Sequence, residues 1–506
     1  MTITKIGFDN KKYLKEQSKS IIDRAAQFGN KLYLEFGGKL IYDFHAARVL
    51  PGFDPNVKLK LLERLKDKIE VIICIYSGDI ERRKIRADFG ITYDTNTMKL
   101  IDDLRDGDIN VCAVVVTRFN GQPIVKQFMT KLERRDIKVF THQTIKGYPT
   151  NLDLIVSEEG YGANPYIETV KPIVIVTAPG PGSGKLATCL NQVYHEHKRG
   201  LRAGYAKFET FPIWNLPLKH PINMAYESAT ADLGDFNQVD PFHLDAYNKI
   251  AINYNRDVDA FPVVRKIMIK IMNHGELYKS PTDMGVNRAG FAITNDELVQ
   301  EAAKQEMIRR FFRYSCEYAM GVAEKQTVQR AELLMKELNL SSIDRKVVGY
   351  ARKASIEAQE KGKGNEGIFA GAALELKDGT IITGKNSPIM HAASALILNS
   401  IKTLAGIPDN ILLLSPNILS SISKMKSEFY DKKKLSLNLE ETLIALSISA
   451  DFNPSAKVAM EKLSELKGCD MHSTHIPTPG DEEGLRVLGL YITSDPNFSS
   501  KSLFIT

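Results

Sequence analysis

From Lys31 to Phe208, short apolar runs alternate with longer stretches whose apolar residues recur every three or four positions. The runs Lys31–Phe36, Glu70–Tyr76, Asn110–Thr117, Ile137–Thr141, Leu152–Val156, Lys171–Thr177 and Leu201–Phe208 predict strands. Asn56–Lys68, Ile80–Phe89, Thr97–Arg105, Pro123–Arg135 and Lys185–Lys198 have helical spacing. This alternation predicts a doubly wound, mostly parallel α/β sheet. After Phe211 the pattern turns irregular, then helical from Asp296 to Leu338. A second α/β pattern follows, with helix Arg345–Lys361 and a hairpin of Ile368–Leu376 and Thr380–Gly384 turning at Asp378-Gly379. Helix Ala392–Leu404, strand Asn410–Leu414 and helix Ile418–Asp431 come next, then helices around Leu439–Ser449 and Pro454–Leu466 and a strand pair near Asp470–Thr493. The predicted organisation is an α/β domain over 1–165, an α/β segment with a helical extension over 166–340, and an α/β sandwich over 341–506.

Composition narrows the class. At 506 residues, 43% apolar and 25% charged, the chain matches a soluble globular protein of about three domains, not a disordered, fibrous or membrane-spanning one. The net charge of +6 is too small over this length to predict nucleic acid or membrane as a partner. Five scattered cysteines without C-x-x-C spacing predict neither a disulfide framework nor a zinc finger, and suit a reducing compartment. The N-terminus lacks the apolar core of a secretory signal, so the expected location is the cytoplasm.

The strongest chemical signal follows Lys171–Thr177. There Ala178-Pro-Gly-Pro-Gly-Ser-Gly-Lys185 leads into a helical pattern, giving strand, glycine loop and helix in the order that cradles phosphate. Gly180, Gly182, Ser183, Gly184 and Lys185 are the expected phosphate-binding residues, through backbone N–H groups, the helix dipole and the ammonium charge. Against G-x-x-x-x-G-K-[ST], Gly184 and Lys185 match, but Pro179 replaces the first glycine and Leu186 the Mg²⁺-ligating hydroxyl. Thr188 and Ser183 are the nearest substitutes, and whether Mg²⁺ takes part stays open. The expected ligand is ATP, another nucleotide or a sugar phosphate; a Rossmann-type dinucleotide reading is weaker because the glycines are not spaced G-x-G-x-x-G.

Arg82, Arg83 and Arg86 follow a predicted strand end and, with Lys207 and Arg288, are candidates for a second anion site. A solvated basic face is the simpler reading of the first three. Glu35, Gly37, Gly38, Asp43, His45 and Arg48 after the first strand, and Ser77-Gly-Asp79 after the second, are further strand-end candidates. Lys219-His220, Asp240, His243, Asn253-Tyr-Asn-Arg256 and the loop Lys279–Arg288, with Asp283 and Asn287, add polar groups. Cys469, His472 and His475 have the wrong spacing for one strand face, so no metal site is assigned. No catalytic residue emerges, and whether the chain is an enzyme stays open.

The loop, its helix and Gly204-Tyr-Ala-Lys-Phe-Glu-Thr210 resemble the dethiobiotin synthetase-like branch of P-loop enzymes. The element order from Arg345 to Asp431 resembles the cytidine deaminase-like fold, with His391 at a zinc-ligand position. Ala393 replaces the proton-transferring Glu, and Asn417 and Ser420 replace the two Cys, so this resemblance implies no zinc and no deamination. Phe36-Gly-Gly, Asp43–Arg48, Asp88–Asp94, Thr177–Lys185 and Phe208–Leu216 together resemble a full-length bacterial family of uncharacterised proteins. That resemblance implies a cytoplasmic bacterial protein and brings no reaction. The expected partner is a small phosphorylated ligand, with a homo-oligomer and a non-catalytic regulatory role left open.

Overall fold

The computed structural model describes residues 6–86, 90–273, 277–429 and 435–500. The chain divides into two compact units, one up to Ala303 and one from Lys304 onward.

In the first unit, six strands form one sheet: β1 (Leu32–Phe36), β2 (Ile69–Tyr76), β3 (Val111–Thr117), β4 (Val139–His142), β5 (Ile173–Thr177) and β6 (Gly204–Phe208). Their spatial order is β4-β3-β2-β5-β1-β6, and every pairing is parallel. A sheet covered on both faces calls for continuous apolar strands, and β1 and β5 are buried at every position. Strands from both sides of residue 165 therefore share this sheet. The connection from β5 runs to β6, across β1, whereas those from β1 and β2 run the other way. Neighbouring strands whose outgoing connections run in opposite directions, here β2 and β5, mark a topological switch point, and ligands of open α/β sheets sit outside the carboxyl ends there. The carboxyl end of β5 carries the glycine loop.

Three expectations fail in this unit. Leu152–Ile155 is a helix, because the Asn151 side chain accepts a hydrogen bond from the Leu154 amide at 3.1 Å and caps it. The helix expected over 80–89 spans only Ser77–Glu81; Arg83 turns left-handed (φ 51°), and Ile85–Arg86 pairs antiparallel with Ile91–Thr92. Phe89 lies outside the described residues, as does Asp88 of the family motif. The irregular region after Phe211 contains helices Pro221–Ala229, Pro241–Tyr247 and Asn255–Met272. Pro221 and Pro241 sit in the first turns of the first two of these helices, where a proline's missing amide costs no hydrogen bond.

The second unit opens on the remainder of helix Asp296–Ala319 and helix Lys325–Glu337. Its four-stranded sheet contains β7 (Gly371–Glu375), β8 (Ile381–Lys385), β9 (Asp470–Ser473) and β10 (Tyr491–Ser494), in the order β8-β7-β9-β10. Only β9 and β10 pair in parallel. Helix Ala392–Leu404 has the bounds its pattern predicts. Residues 410–414 form no strand: the Asn453 side chain takes the Leu412 carbonyl at 2.8 Å, and Leu413 and Leu414 enter the core from irregular backbone. Helix Pro416–Phe429 follows directly, and Asp431 lies outside the described residues. The strand expected of a deaminase-like core at this point is thus missing. Among the described residues no helix is long and apolar enough to cross a membrane.

Candidate functional site

β5 ends at Thr177, and helix Lys185–Lys198 starts at the predicted lysine, capped by Gly184 in a left-handed conformation (φ 86°). A side chain at Gly184 would sit 2.9 Å from Thr117 as well as being strained, and one at Gly180 would sit 2.5 Å from the Tyr93 ring. The loop is held from within and from β3. Ser183 Oγ donates to the Gly180 carbonyl at 2.7 Å, Thr117 Oγ1 donates to the Ser183 carbonyl at 2.9 Å, and the Arg118 guanidinium donates to the Gly182 carbonyl. Among the described residues, the amides of Gly182, Ser183, Gly184 and Lys185 meet no protein acceptor. Successive free N–H groups ahead of a helix make an anion-binding concavity. Thr177, at the strand–loop junction, is fully buried with its hydroxyl oxygen unpartnered.

The two substitutes for the Mg²⁺ hydroxyl are otherwise engaged. Ser183 spends its hydroxyl inside the loop. Thr188 is buried and accepts from Cys74 Sγ at 3.4 Å, on the sheet side of the helix. Burial pushes the Cys74 thiol up to about 12, so it stays protonated, and the thiol feels both Lys185 and Glu35.

A second cluster occupies the carboxyl end of β1 and β6. Lys207 Nζ lies 2.6 Å from both oxygens of Asp257, 3.4 Å from Glu209 and against the Tyr254 hydroxyl. Burial works against the Lys207 charge, but Asp257, Glu209 and Glu35 outweigh it and raise its pKa. Glu209 moves up from its ordinary 4.5 because it is buried and, despite Lys207, shares the space with Asp257 and Glu35. Glu35 accepts a hydrogen bond from Tyr205 at 2.8 Å. Gly37 makes room for Glu209, whose carboxyl would overlap any side chain there. Arg256 pairs with the buried Asp235, and Tyr226 stacks on Phe211 with ring centroids 5.8 Å apart. A buried carboxyl raised in pKa beside a buried ammonium is a feature of acid–base sites. Of these residues the sequence singled out Lys207, Glu35, Gly37, Tyr254 and Arg256, and quoted Glu209 within Gly204–Thr210 without a role; its signal is its place two positions past Lys207, just beyond the end of β6. Asp257 carries no local signal.

The remaining candidates have separate partners. Arg82 pairs with Asp79 and is exposed; Arg83 is exposed; the Arg86 side chain lies outside the described parts. Arg288 packs over Phe291 at 5.3 Å. Asp43 pairs with Lys58 at 2.8 Å and caps a helix through the Ala46 amide at 3.1 Å. His220 meets Asp296 at 3.0 Å, and Asp283 accepts from Tyr247 at 2.8 Å. In the second unit, His391 Nδ1 lies 2.7 Å from Asp481, and Asn417 and Ser420 are exposed on helix Pro416–Phe429. His472 meets Thr493 at 2.9 Å and His475 meets Thr474 at 3.0 Å. Among the described residues no three His, Cys, Asp or Glu side chains converge on a metal-sized point.

Comparison with known proteins places the chain in a family. The family model described as domain of unknown function DUF1846, N-terminal, matches residues 6–339, and its C-terminal counterpart matches residues 343–504. A UPF0371 protein of Clostridium botulinum strain Alaska E43 is 59% identical over 500 residues, covering 99% of each chain. Its counterpart in strain Kyoto is 58% identical over the same length and share.

Proposed function

The chain belongs to the DUF1846 family of UPF0371 proteins, and from that premise we propose that its first unit binds a phosphorylated small molecule, a nucleotide or a sugar phosphate, at Gly180–Lys185. One observation carries the reading: four consecutive amides without a protein acceptor, closed by Lys185, lie at the switch point of the sheet. The Lys207, Glu209 and Asp257 cluster supports a reaction at the same edge, with Glu209 able to give up a proton and Lys207 able to stabilise the carboxylate that remains. A binding protein without turnover is the second reading. It is favoured by Leu186 at the Mg²⁺-hydroxyl position and by the internal engagement of Ser183 and Thr188. The deaminase-like reading of the second unit contributes no chemistry to this proposal. Five free cysteines support a reducing, cytoplasmic setting.

The test is calorimetric titration of the full chain with ATP, GTP, NAD and glucose 6-phosphate, each with and without Mg²⁺. Lys185→Ala removes a charged hydrogen-bond donor worth roughly 1.5–3 kcal/mol, so affinity for the ligand that binds should fall about ten- to hundredfold at unchanged melting temperature. Equal affinity of Lys185→Ala and wild type for every ligand would leave the loop a structural turn.

A further inference from the structure

The phosphate reading leaves one strained residue beside the loop unexplained. Arg118, immediately after β3, adopts a left-handed backbone (φ 53°), which L-residues with long side chains rarely do. The strain is held from both sides: the Arg118 amide donates to the His142 carbonyl at 2.6 Å, and its carbonyl accepts from Ser77 Oγ at 2.7 Å. The resulting side chain is exposed, lies over the Tyr76 ring with its guanidinium carbon 3.5 Å from the ring centre, and reaches the Gly182 carbonyl. A guanidinium carries five N–H donors, so one bond to Gly182 leaves the rest of the fork for another acceptor. Strain that the surroundings hold in place clusters at ligand clamps. Lys84 adds a third cation nearby, 5.1 Å from the centre of the Tyr93 ring that packs on Gly180.

Resting on the reading of Gly180–Lys185 as a phosphate site, the geometry points to Arg118 as a second phosphate-binding cation, and to a ligand that carries two or more linked phosphates. Lys185 and the amides take one phosphate at the helix end of the loop. Arg118, over Gly182, takes the next, in the planar bidentate manner for which arginine is suited. Tyr76 fixes the guanidinium plane before the ligand arrives, which lowers the entropy cost of the contact. A sugar monophosphate fills only the Lys185 end, so the substrate class this arrangement selects is a nucleoside di- or triphosphate or another polyphosphate. Thr177, at the start of the loop, is buried with its hydroxyl unpartnered.

The experiment measures dissociation constants of inorganic phosphate, tripolyphosphate and ATP for the wild type, Lys185→Ala, Arg118→Gly and Arg118→Lys, by calorimetry on the full chain. Glycine tolerates the left-handed backbone, so Arg118→Gly should melt at or above the wild-type temperature. We expect tripolyphosphate and ATP to bind at least tenfold more tightly than phosphate. Arg118→Gly should remove most of that advantage while changing phosphate binding less than twofold, Arg118→Lys should recover part of it, and Lys185→Ala should weaken all three. If Lys185→Ala weakens binding but Arg118→Gly binds tripolyphosphate and ATP like the wild type, the role of Arg118 is overturned and the phosphate reading stands. If phosphate binds as tightly as tripolyphosphate, the polyphosphate class is overturned. If neither variant differs from wild type with any probe, both readings fall together.

Discussion

Replacing Asp257 by Asn tests whether the charge cluster at the carboxyl end of β6 is a folded necessity or a surface ornament. The Lys207–Asp257 pair is bidentate at 2.6 Å, with side chains only 11% and 18% exposed. Removing one partner of such a pair strands the other charge, at a cost of about 3–5 kcal/mol when nothing replaces it. Here Glu209 stands 3.4 Å from the same ammonium and is held up in pKa partly by Asp257 itself. In Asp257→Asn it loses that repulsion, ionises more readily and takes over part of the pairing, so the expected loss is about 2–3 kcal/mol. The sign of the pH dependence follows. A carboxyl whose pKa is raised by folding adds stability that is complete below its ordinary 4.5 and is lost as pH rises through the folded value. Asp257→Asn should therefore shrink the stability that the wild type loses as pH rises from 4.5 through that value. Urea titration at pH 7, followed by fluorescence, reads the correct unit because Trp214 is the sole tryptophan and lies in it. The double variant Lys207→Met/Asp257→Leu should cost less than Asp257→Asn alone. A loss below about 0.5 kcal/mol, or a double variant less stable than the single, would refute the reasoning.

In the second unit, burial alone would push Asp495 up, but the His472 ring 3.5 Å away and the Arg352 guanidinium, which donates to it at 2.6 and 3.1 Å, outweigh burial and hold the carboxyl at about 2 against an ordinary 3.8. That contributes roughly 2 kcal/mol above pH 3.8, lost as pH falls through 2, and Asp495→Asn should flatten the acid limb of the second unit's calorimetric transition. A side chain at Gly384 would sit 2.6 Å from the Ala392 carbonyl, so Gly384→Ala must push helix Ala392–Leu404 off β8 and should lower the melting temperature of that unit by more than 5 °C. Gly180→Ala would drive Tyr93 off the loop and should weaken ATP binding tenfold or more, whereas Gly200→Ala, with open space around it, should leave ATP binding unchanged. His391→Ala frees Asp481, which still holds the Leu439 amide at 2.8 Å, so a loss of only about 1–2 kcal/mol is expected by chemical denaturation followed by circular dichroism.

What the sequence made legible was whatever depends on neighbours in the chain. Helix Lys185–Lys198 and helix Ala392–Leu404 have the bounds their spacing predicts, because a glycine loop or a polar turn punctuates each one. Leu152–Val156 misled because five residues, broken by Asp153, are too short to show a period; the Asn151 cap decides it. Helix Asn255–Met272 was hidden by Pro262 within it, and with that helix went Asp257. The cluster around Lys207 joins strand ends to a helix fifty residues later, and no spacing rule links them. Ser183 and Thr188 carried the right hydroxyls at plausible positions, and only their partners, the Gly180 carbonyl and Cys74, reveal that both are occupied.

The strand order also dictates a schedule for synthesis. β5 lies between β1 and β2 in space, yet it is made about 140 residues after β1, since Leu32 pairs with Ile173. Until the ribosome has delivered residue 177, β1 has neither neighbour and β2 lacks one, so both present unpaired backbone edges of β-prone sequence such as Ile-Glu-Val-Ile-Ile-Cys-Ile-Tyr. Long-range closure of this kind is slow, and the waiting edges invite association with other nascent chains. The glycine loop is attached to the strand that joins β1 to β2, so the proposed phosphate site and the central pairings of the sheet arrive in the same stage of biogenesis, with only the edge strand β6 to follow. A ligand present during synthesis would bind only chains that have passed it, drawing the equilibrium toward the finished sheet.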